Sequence, residues 1–272
     1  MKQLFICAAA LGLFLVACKK DDSAPTPTEP VVKKYIQSII GESDSTAIEY
    51  NIDKSVYRFY NVSYGDYITI SMPTYEAGKM TGVENDENGD SYHEREISYN
   101  STGKVSALAW YFSDGALDHS YKMTYNGDGK LDSIYDYTTT GIPSVFHLER
   151  LYAFTWDTKG NIIRMESVNP DNSAVSRVSS VFTYDDKINP AANTVGYYLM
   201  HYYTDELPFL ISANNLLTST TTADPSYSDN SVETYTYKYD ADNYPVVYTW
   251  KSYDVSTPAN VDSTTYKINY GK

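Results

Sequence analysis

The residues that could do chemistry fall in three places. Glu84, Asp86, Asn88 and Asp90 alternate around Gly89 in the run Glu84-Asn85-Asp86-Glu87-Asn88-Gly89-Asp90. Oxygen ligands at the first, third and fifth positions, with glycine at the sixth, imitate a calcium loop. The twelfth position is Arg95, where a bidentate carboxylate is wanted, although Glu94 and Glu96 flank it. No helical pattern brackets the loop. A solvated acidic hairpin tip is therefore favoured over calcium, and no other cofactor is indicated. The four histidines, His93, His119, His147 and His201, are far apart. His119 and His201 lie among tyrosines, where a hydrogen-bonded structural imidazole is expected ahead of a zinc site built across strands. The third place is aromatic. Trp110, Tyr248 and Trp250, with Tyr253 near in sequence, offer flat amphipathic rings for a sugar or a peptide. The same rings suit cross-strand packing, which is the stronger expectation.

Other signatures are missing. The chain has no glycine-rich phosphate loop, no G-x-S-x-G and no H-E-x-x-H. Two carboxylates meeting across strands as a glycosidase pair would leave no trace in sequence. The net charge is −14, and −15 without residues 1–17, whose one charge is Lys2. Such an acidic chain argues against nucleic acid or an anionic membrane surface as partner.

The elements that must position these residues are strands. Tyrosine is the dominant aromatic, 29 against eight Phe and three Trp, and it recurs in a unit. The unit is an aromatic, Asp or Asn, two polar residues, Gly, a polar residue and an aliphatic. Tyr99-Asn100-Ser101-Thr102-Gly103-Lys104-Val105, Tyr125-Asn126-Gly127-Asp128-Gly129-Lys130-Leu131 and Trp156-Asp157-Thr158-Lys159-Gly160-Asn161-Ile162 are copies. Tyr239-Asp240-Ala241-Asp242-Asn243 places Asn where Gly stood, Tyr184-Asp185-Asp186-Lys187 breaks at Asn189-Pro190, and Tyr50-Asn51-Ile52-Asp53 is a worn copy. This is turn chemistry: Asp or Asn caps the backbone two residues on, and Gly takes positive φ. Asp157 and Asp240 therefore read as turn residues rather than catalytic ones.

The flanks alternate. His119-Tyr121-Met123-Tyr125, Tyr235-Tyr237-Tyr239 and Tyr266-Ile268-Tyr270 each share a face, as do Phe146, Leu148, Tyr152, Phe154 and Trp156, broken only by Arg150. Period two in Tyr- and Thr-rich runs means strands with one buried face, and no comparable window has a helical period. The copies at 99, 125, 156, 184 and 239 are spaced by 26, 31, 28 and 55 residues, so one turn in the last gap is lost or lengthened. The fold expected is all-β: an antiparallel meander of about ten to fourteen strands, strongly curled or barrel-like.

The N-terminal segment has its own logic. Lys2, the apolar run Leu4 to Val16, and Ala17 before Cys18 form a segment too short to span a bilayer. It resembles a bacterial lipoprotein signal, which implies cleavage before Cys18 and lipid attachment to it. Lys19-Lys20-Asp21-Asp22 resembles the tag that follows the lipidated cysteine in Bacteroidota lipoproteins, implying the outer face of the outer membrane. With Cys7 removed and Cys18 lipidated, the remaining chain has no disulfide, thiolate ligand or cysteine nucleophile. The division expected is a signal peptide over 1–17, a lipidated cysteine and Pro-rich linker over 18–34, and one repeat-built β domain over 35–272. The linker, extended at about 3.1 Å per residue, reaches on the order of 50 Å. Asp22-Ser23-Ala24 resembles an O-glycosylation site of these bacteria.

The repeat resembles the YD repeat of Rhs-type and teneurin-type proteins. With the signal and the C-terminal Tyr237-Lys238-Tyr239-Asp240 copy, the chain more closely resembles a Bacteroidota family of uncharacterised lipoproteins with a porin-like antiparallel β fold. The resemblance covers residues 93 to 272 and extends toward 35. It implies architecture and no catalytic residues. The function expected is a non-enzymatic, outward-facing, lipid-anchored surface protein that binds a glycan or peptide on its tyrosine-rich face. The alternatives are a structural component of an outer-membrane complex with a protein partner and, third, a glycan-directed enzyme.

Overall fold

The period-two runs become sixteen strands. They are β1 Tyr35–Ile40, β2 Asp44–Tyr50, β3 Val56–Ser63, β4 Tyr67–Glu76, β5 Lys79–Glu87, β6 Asp90–Tyr99, β7 Val105–Tyr111 and β8 Leu117–Tyr125. Then follow β9 Leu131–Thr140, β10 Val145–Trp156, β11 Ile162–Val168, β12 Arg177–Ile188, β13 Asn214–Ala223, β14 Ser231–Tyr239, β15 Pro245–Asp254 and β16 Asp262–Gly271. The computed structural model describes residues 33–63, 67–140, 145–170, 177–194, 196–200, 202–224 and 230–271. Cys18 and the signal, tag and linker residues up to 32 lie outside the described residues, as does His201. Every strand pairs antiparallel with its neighbours in sequence, and β1 pairs with β16, so the meander closes into a barrel. The expectation of a barrel-like antiparallel sheet holds. The strand number exceeds the ten to fourteen expected, because β1 to β5 carry few of the Tyr-rich runs that marked the later strands.

The motif turns gather at one rim. Asn100, Asn126, Asp157 and Asp240 each accept, through Oδ1, backbone N–H groups two and four residues on, at 2.8–3.0 Å. Gly103, Gly129 and Gly160 take φ of 81°, 75° and 96°, and Asn243 takes 65°. The worn copy at Tyr50 makes a turn too, with Lys54 at φ 67° in the glycine place. The motif aromatic has a second task. Tyr50, Tyr99, Tyr125 and Tyr184 donate their hydroxyls to the carbonyls of Ile36, Met80, Val105 and Ile162, and Trp156 donates Nε1–H to Leu131, as Tyr75, outside the motif, donates to Val56, all at 2.5–2.8 Å. Each repeat thus ties back to the repeat before it. The lysines run the other way: the Nζ of Lys79, Lys104 and Lys130 lies 5.0–5.5 Å over the rings of Tyr99, Tyr125 and Trp156.

Side chains alternate between lumen and exterior. Tyr121 and Met123 are buried and Lys122 is exposed; Ile48 is buried and Glu49 exposed; Ile268 is buried and Lys267 exposed. Lys238, Lys251, Arg164 and Arg177 are exposed as well. The core therefore fills the lumen, and the outer wall carries charged side chains among apolar ones such as Tyr57, Ile68, Ile163 and Val181. One expected face fails. A bulge between Leu148 and Arg150 shifts the register, pairing Leu148 with Tyr137 but Arg150 with Asp136. Arg150, Tyr152, Phe154 and Trp156 keep the lumen face, whereas Leu148 and Phe146, the latter 41% exposed, turn outward.

The lumen also holds a helical plug, which the sequence reading did not foresee. Between β12 and β13 lie α1 Pro190–Asn193, α2 Tyr197–Met200, a 3₁₀ turn Thr204–Glu206 and α3 Leu207–Ile211. Its side chains meet strands all round the barrel: Tyr197 meets Phe59 of β3, Tyr202 meets Tyr121 of β8, and Phe209 meets Tyr235 of β14 and Tyr248 of β15. Only a segment inside a closed barrel can do that. The long gap from Tyr184 to Tyr239 is one repeat lengthened by this insertion.

Candidate functional site

The plug enters at the motif rim and leaves a cavity of about 830 Å³ toward the opposite rim. That size suits a small-molecule site. Strands β10 to β16, with β1 and β2, form its wall, because their lumen positions fall at every second residue. The wall is aromatic: Tyr152, Phe182, Tyr235, Tyr248, Trp250 and Tyr266. The Tyr248 and Tyr266 rings stack at 4.8 Å and 17°. Tyr197, Asp205, Glu206, Phe209 and Leu210 of the plug complete the lining.

Polar groups are set among these rings. Glu233 Oε1 accepts from Trp250 Nε1 at 3.3 Å, and Oε2 accepts from the Tyr235 hydroxyl at 3.2 Å. Burial holds the Glu233 carboxyl above its ordinary range, against those two hydrogen bonds, and the charges of Asp205 and Glu206 push it further up. Arg150 donates to Ser167 Oγ at 3.2 Å, and the Ser180 and Thr221 hydroxyls pair at 2.9 Å. Asp44 bonds the Tyr266 hydroxyl, whose pKa is raised by burial and then by that carboxylate. Among the described residues, four carboxylates, those of Asp44, Asp205, Glu206 and Glu233, thus face the cavity with one cation, Arg150.

The expected site residues are divided. Tyr248 and Trp250 line the cavity together. Trp110 does not: its ring lies 4.5 Å beneath the Arg95 guanidinium and 6.0 Å from Tyr203, against the plug. Glu84, Asp86, Asn88 and Asp90 are spread over the β5–β6 hairpin rather than gathered. Asn88 and Gly89 form its two-residue turn, with φ of 55° and 97°. Asp86 Oδ1 accepts from Gly89 N at 2.8 Å, and Glu84 Oε1 contacts His93 Nδ1 at 2.6 Å. The run thus closes as an acidic hairpin tip, the geometry favoured from the sequence. Glu233 was missed, though its signal was present: it falls on the period-two face of Tyr235, Tyr237 and Tyr239. Phe209, Asp205 and Glu206 carried no signal, since the plug has no repeat.

No protein-family model matches the chain, and no curated protein matches it. Among solved structures, a porin-like protein from Bacteroides uniformis matches with a TM-score of 0.54 at 10% identity, over 87% of this chain and 98% of that one. A porin-like protein from Bacteroides vulgatus matches at 15% identity with a TM-score of 0.45, over 88% and 99%. A TcdB2-TccC3-Cdc42 complex matches at 11% identity with a TM-score of 0.33, over 84% of this chain and 13% of that one. The first likeness supports the barrel part of the resemblance read from the sequence, and it concerns the fold alone.

Proposed function

We propose that this protein is a lipid-anchored, non-enzymatic surface protein that holds a short glycan in the open end of its barrel. The observation that carries the reading is the cavity, with flat rings and hydrogen-bonding oxygens on one surface. Aromatic rings stack against the C–H faces of sugars, and carboxylates and hydroxyls accept from and donate to sugar hydroxyls. The exposed Lys122, Lys238, Lys251 and Lys267 disfavour a lipid-facing wall, so this reading gives membrane attachment to Cys18, and the Lys19-Lys20-Asp21-Asp22 tag supports an outward-facing place on the outer membrane. The test is a glycan array probed with the purified chain carrying Cys18→Ala. A ligand found there should bind Trp250→Ala about fivefold more weakly or worse, since one stacked ring contributes about 1 kcal/mol. Melting should change little, because Trp250 is only half-buried. Absence of any ligand, or undiminished binding by Trp250→Ala, would overturn the proposal.

A second reading, a glycan-directed hydrolase, is favoured by the raised carboxyl of Glu233 and its electrostatic proximity to Asp205 and Glu206. Mass spectrometry of the bound glycan after incubation separates the two. Cleavage that disappears in Glu233→Gln would put the hydrolase first.

A further inference from the structure

Outside the cavity, one group of side chains is assembled across three strands. His119 on β8, Asp136 on β9 and Glu149 on β10 each bring one ligand atom within 4.8 Å of the other two. The register explains the meeting. His119 and Asp136 share the lumen face of adjacent strands, and Nδ1 lies 2.9 Å from Asp136 Oδ1. Glu149 is the extra residue of the β10 bulge between Leu148 and Arg150. Without the bulge, alternation would send it to the exterior opposite Arg150; with it, the carboxylate joins the other two. The imidazole is also held in orientation, stacked on Tyr121 at 5.6 Å and 10°.

Charge in this group is not balanced from within. Asp118 approaches Nε2 at 3.6 Å, so three carboxylates surround one imidazole. Even with that ring protonated and Arg150 counted, the group stays negative. Asp136 is 7% exposed, where an uncompensated carboxylate is costly.

We propose that His119, Asp136 and Glu149 form a binding site for a divalent transition-metal ion of the zinc class. One imidazole nitrogen and two carboxylate oxygens match three protein ligands of such an ion, leaving a position for water. The imidazole argues against calcium or magnesium, which take oxygen ligands. The side chains close by small rotations onto the ion, and the His119–Asp136 contact becomes a shared coordination edge. This site does not rest on the glycan reading, and its residues do not line the cavity.

Zinc chloride titrated calorimetrically into the full chain, freed of metal beforehand, tests the assignment. One equivalent is expected to bind. Cobalt(II) in its place should give the visible absorption of a low-coordinate site. His119→Gln and Glu149→Gln should each weaken binding by at least about tenfold. His119→Gln also disturbs the buried Asp136, so Glu149→Gln, half-exposed, is the variant expected to keep the parent melting temperature. His93→Gln is the control, because His93 has its own carboxylates, Glu84 at 2.6 Å and Glu96 at 3.9 Å, on the outer wall. No binding by the parent would overturn the proposal. Binding unchanged in Glu149→Gln, or lost in His93→Gln alone, would also overturn it.

Discussion

At the scale of single residues, the repeat shows how far turn chemistry can be read before a structure exists. Asp157 could be identified as a cap from its place before Gly160, and it accepts from Lys159 and Asn161 N–H as a cap does. What sequence hid is its second oxygen, which takes Asn161 Nδ2 at 3.0 Å while Asn161 Oδ1 accepts from Asn214 N. Asn, which caps the turns at 100 and 126, therefore does not substitute freely here. Asp157→Asn would set two amide NH₂ groups face to face, with Asn161 unable to flip. It should cost about 1–2 kcal/mol in chemical denaturation, whereas Asn126→Asp, which has no such neighbour, should fall within about 0.5 kcal/mol of the parent. Equal costs at the two positions would refute the difference drawn between them. Glu233 gives a prediction in pH. Its folded pKa is raised, first by burial, so the folded protein holds this proton more tightly than the unfolded chain does. The stability it contributes is complete below the unfolded value, about 4, and is lost as pH rises through the folded value. Glu233→Gln removes that loss, since an amide can still accept from Trp250 while Tyr235 turns its hydroxyl. The variant should melt higher than the parent at pH 7.5 and alongside it near pH 4. Calorimetry at both values checks this, and a lower melting temperature at pH 7.5 would contradict it.

At the scale of elements, strands were legible and the plug was not, for a plain reason. A strand of seven to twelve residues repeats its alternation several times, so Tyr235, Tyr237 and Tyr239 announce a face. Helices of four or five residues complete about one turn and show no period. Only Asn189-Pro190, breaking the Tyr184 copy, marked the place, and Asn189 indeed caps α1 through Ala191 N at 3.0 Å. The bulges were equally silent. A bulge between Val83 and Glu84 on the β5–β6 ladder leaves Glu94 as the extra residue and brings it in beside Arg95, with both buried. Arg95 holds the plug: its Nη1 donates to the carbonyls of Leu199 and Met200 at 2.5 and 2.9 Å, and Nε lies 3.0 Å from Glu94. Arg95→Met removes both latches and strands the Glu94 charge, so it should cost about 3–5 kcal/mol. Glu94→Gln combined with Arg95→Met should recover a large part of that, because the stranded charge is gone. A double-mutant cycle by denaturant unfolding measures the coupling. A single Arg95→Met variant as stable as the parent would show that the plug is held elsewhere.

At the scale of the whole molecule, what sequence could not show is closure. The pairing of Tyr35–Ile40 with Asp262–Gly271 joins the two ends of the β domain, and no local pattern signals a contact over that separation. Closure decides which face of every strand is inside. A curled open sheet would have left the tyrosine face as a platform; the closed barrel makes it a lumen lined with rings and filled in part by the plug. It also bears on how the barrel meets a membrane. Glu49, Lys122, Lys238, Lys251 and Lys267 lie on the exposed wall. A basic side chain on the lipid face of a barrel costs about 2–4 kcal/mol at the bilayer midplane, and several at once outweigh the stability of an ordinary domain. On the function proposed above, the barrel stands in water and its hold on a membrane is the lipid on Cys18. The full chain expressed in a lipoprotein-processing bacterium should sediment with membranes and require detergent for release. Cys18→Ala should leave the barrel folded, soluble without detergent, and unable to float with lipid vesicles. A Cys18→Ala protein that still sediments with membranes and dissolves only in detergent would mean that the wall itself meets lipid, and the barrel would then stand in the bilayer rather than in water.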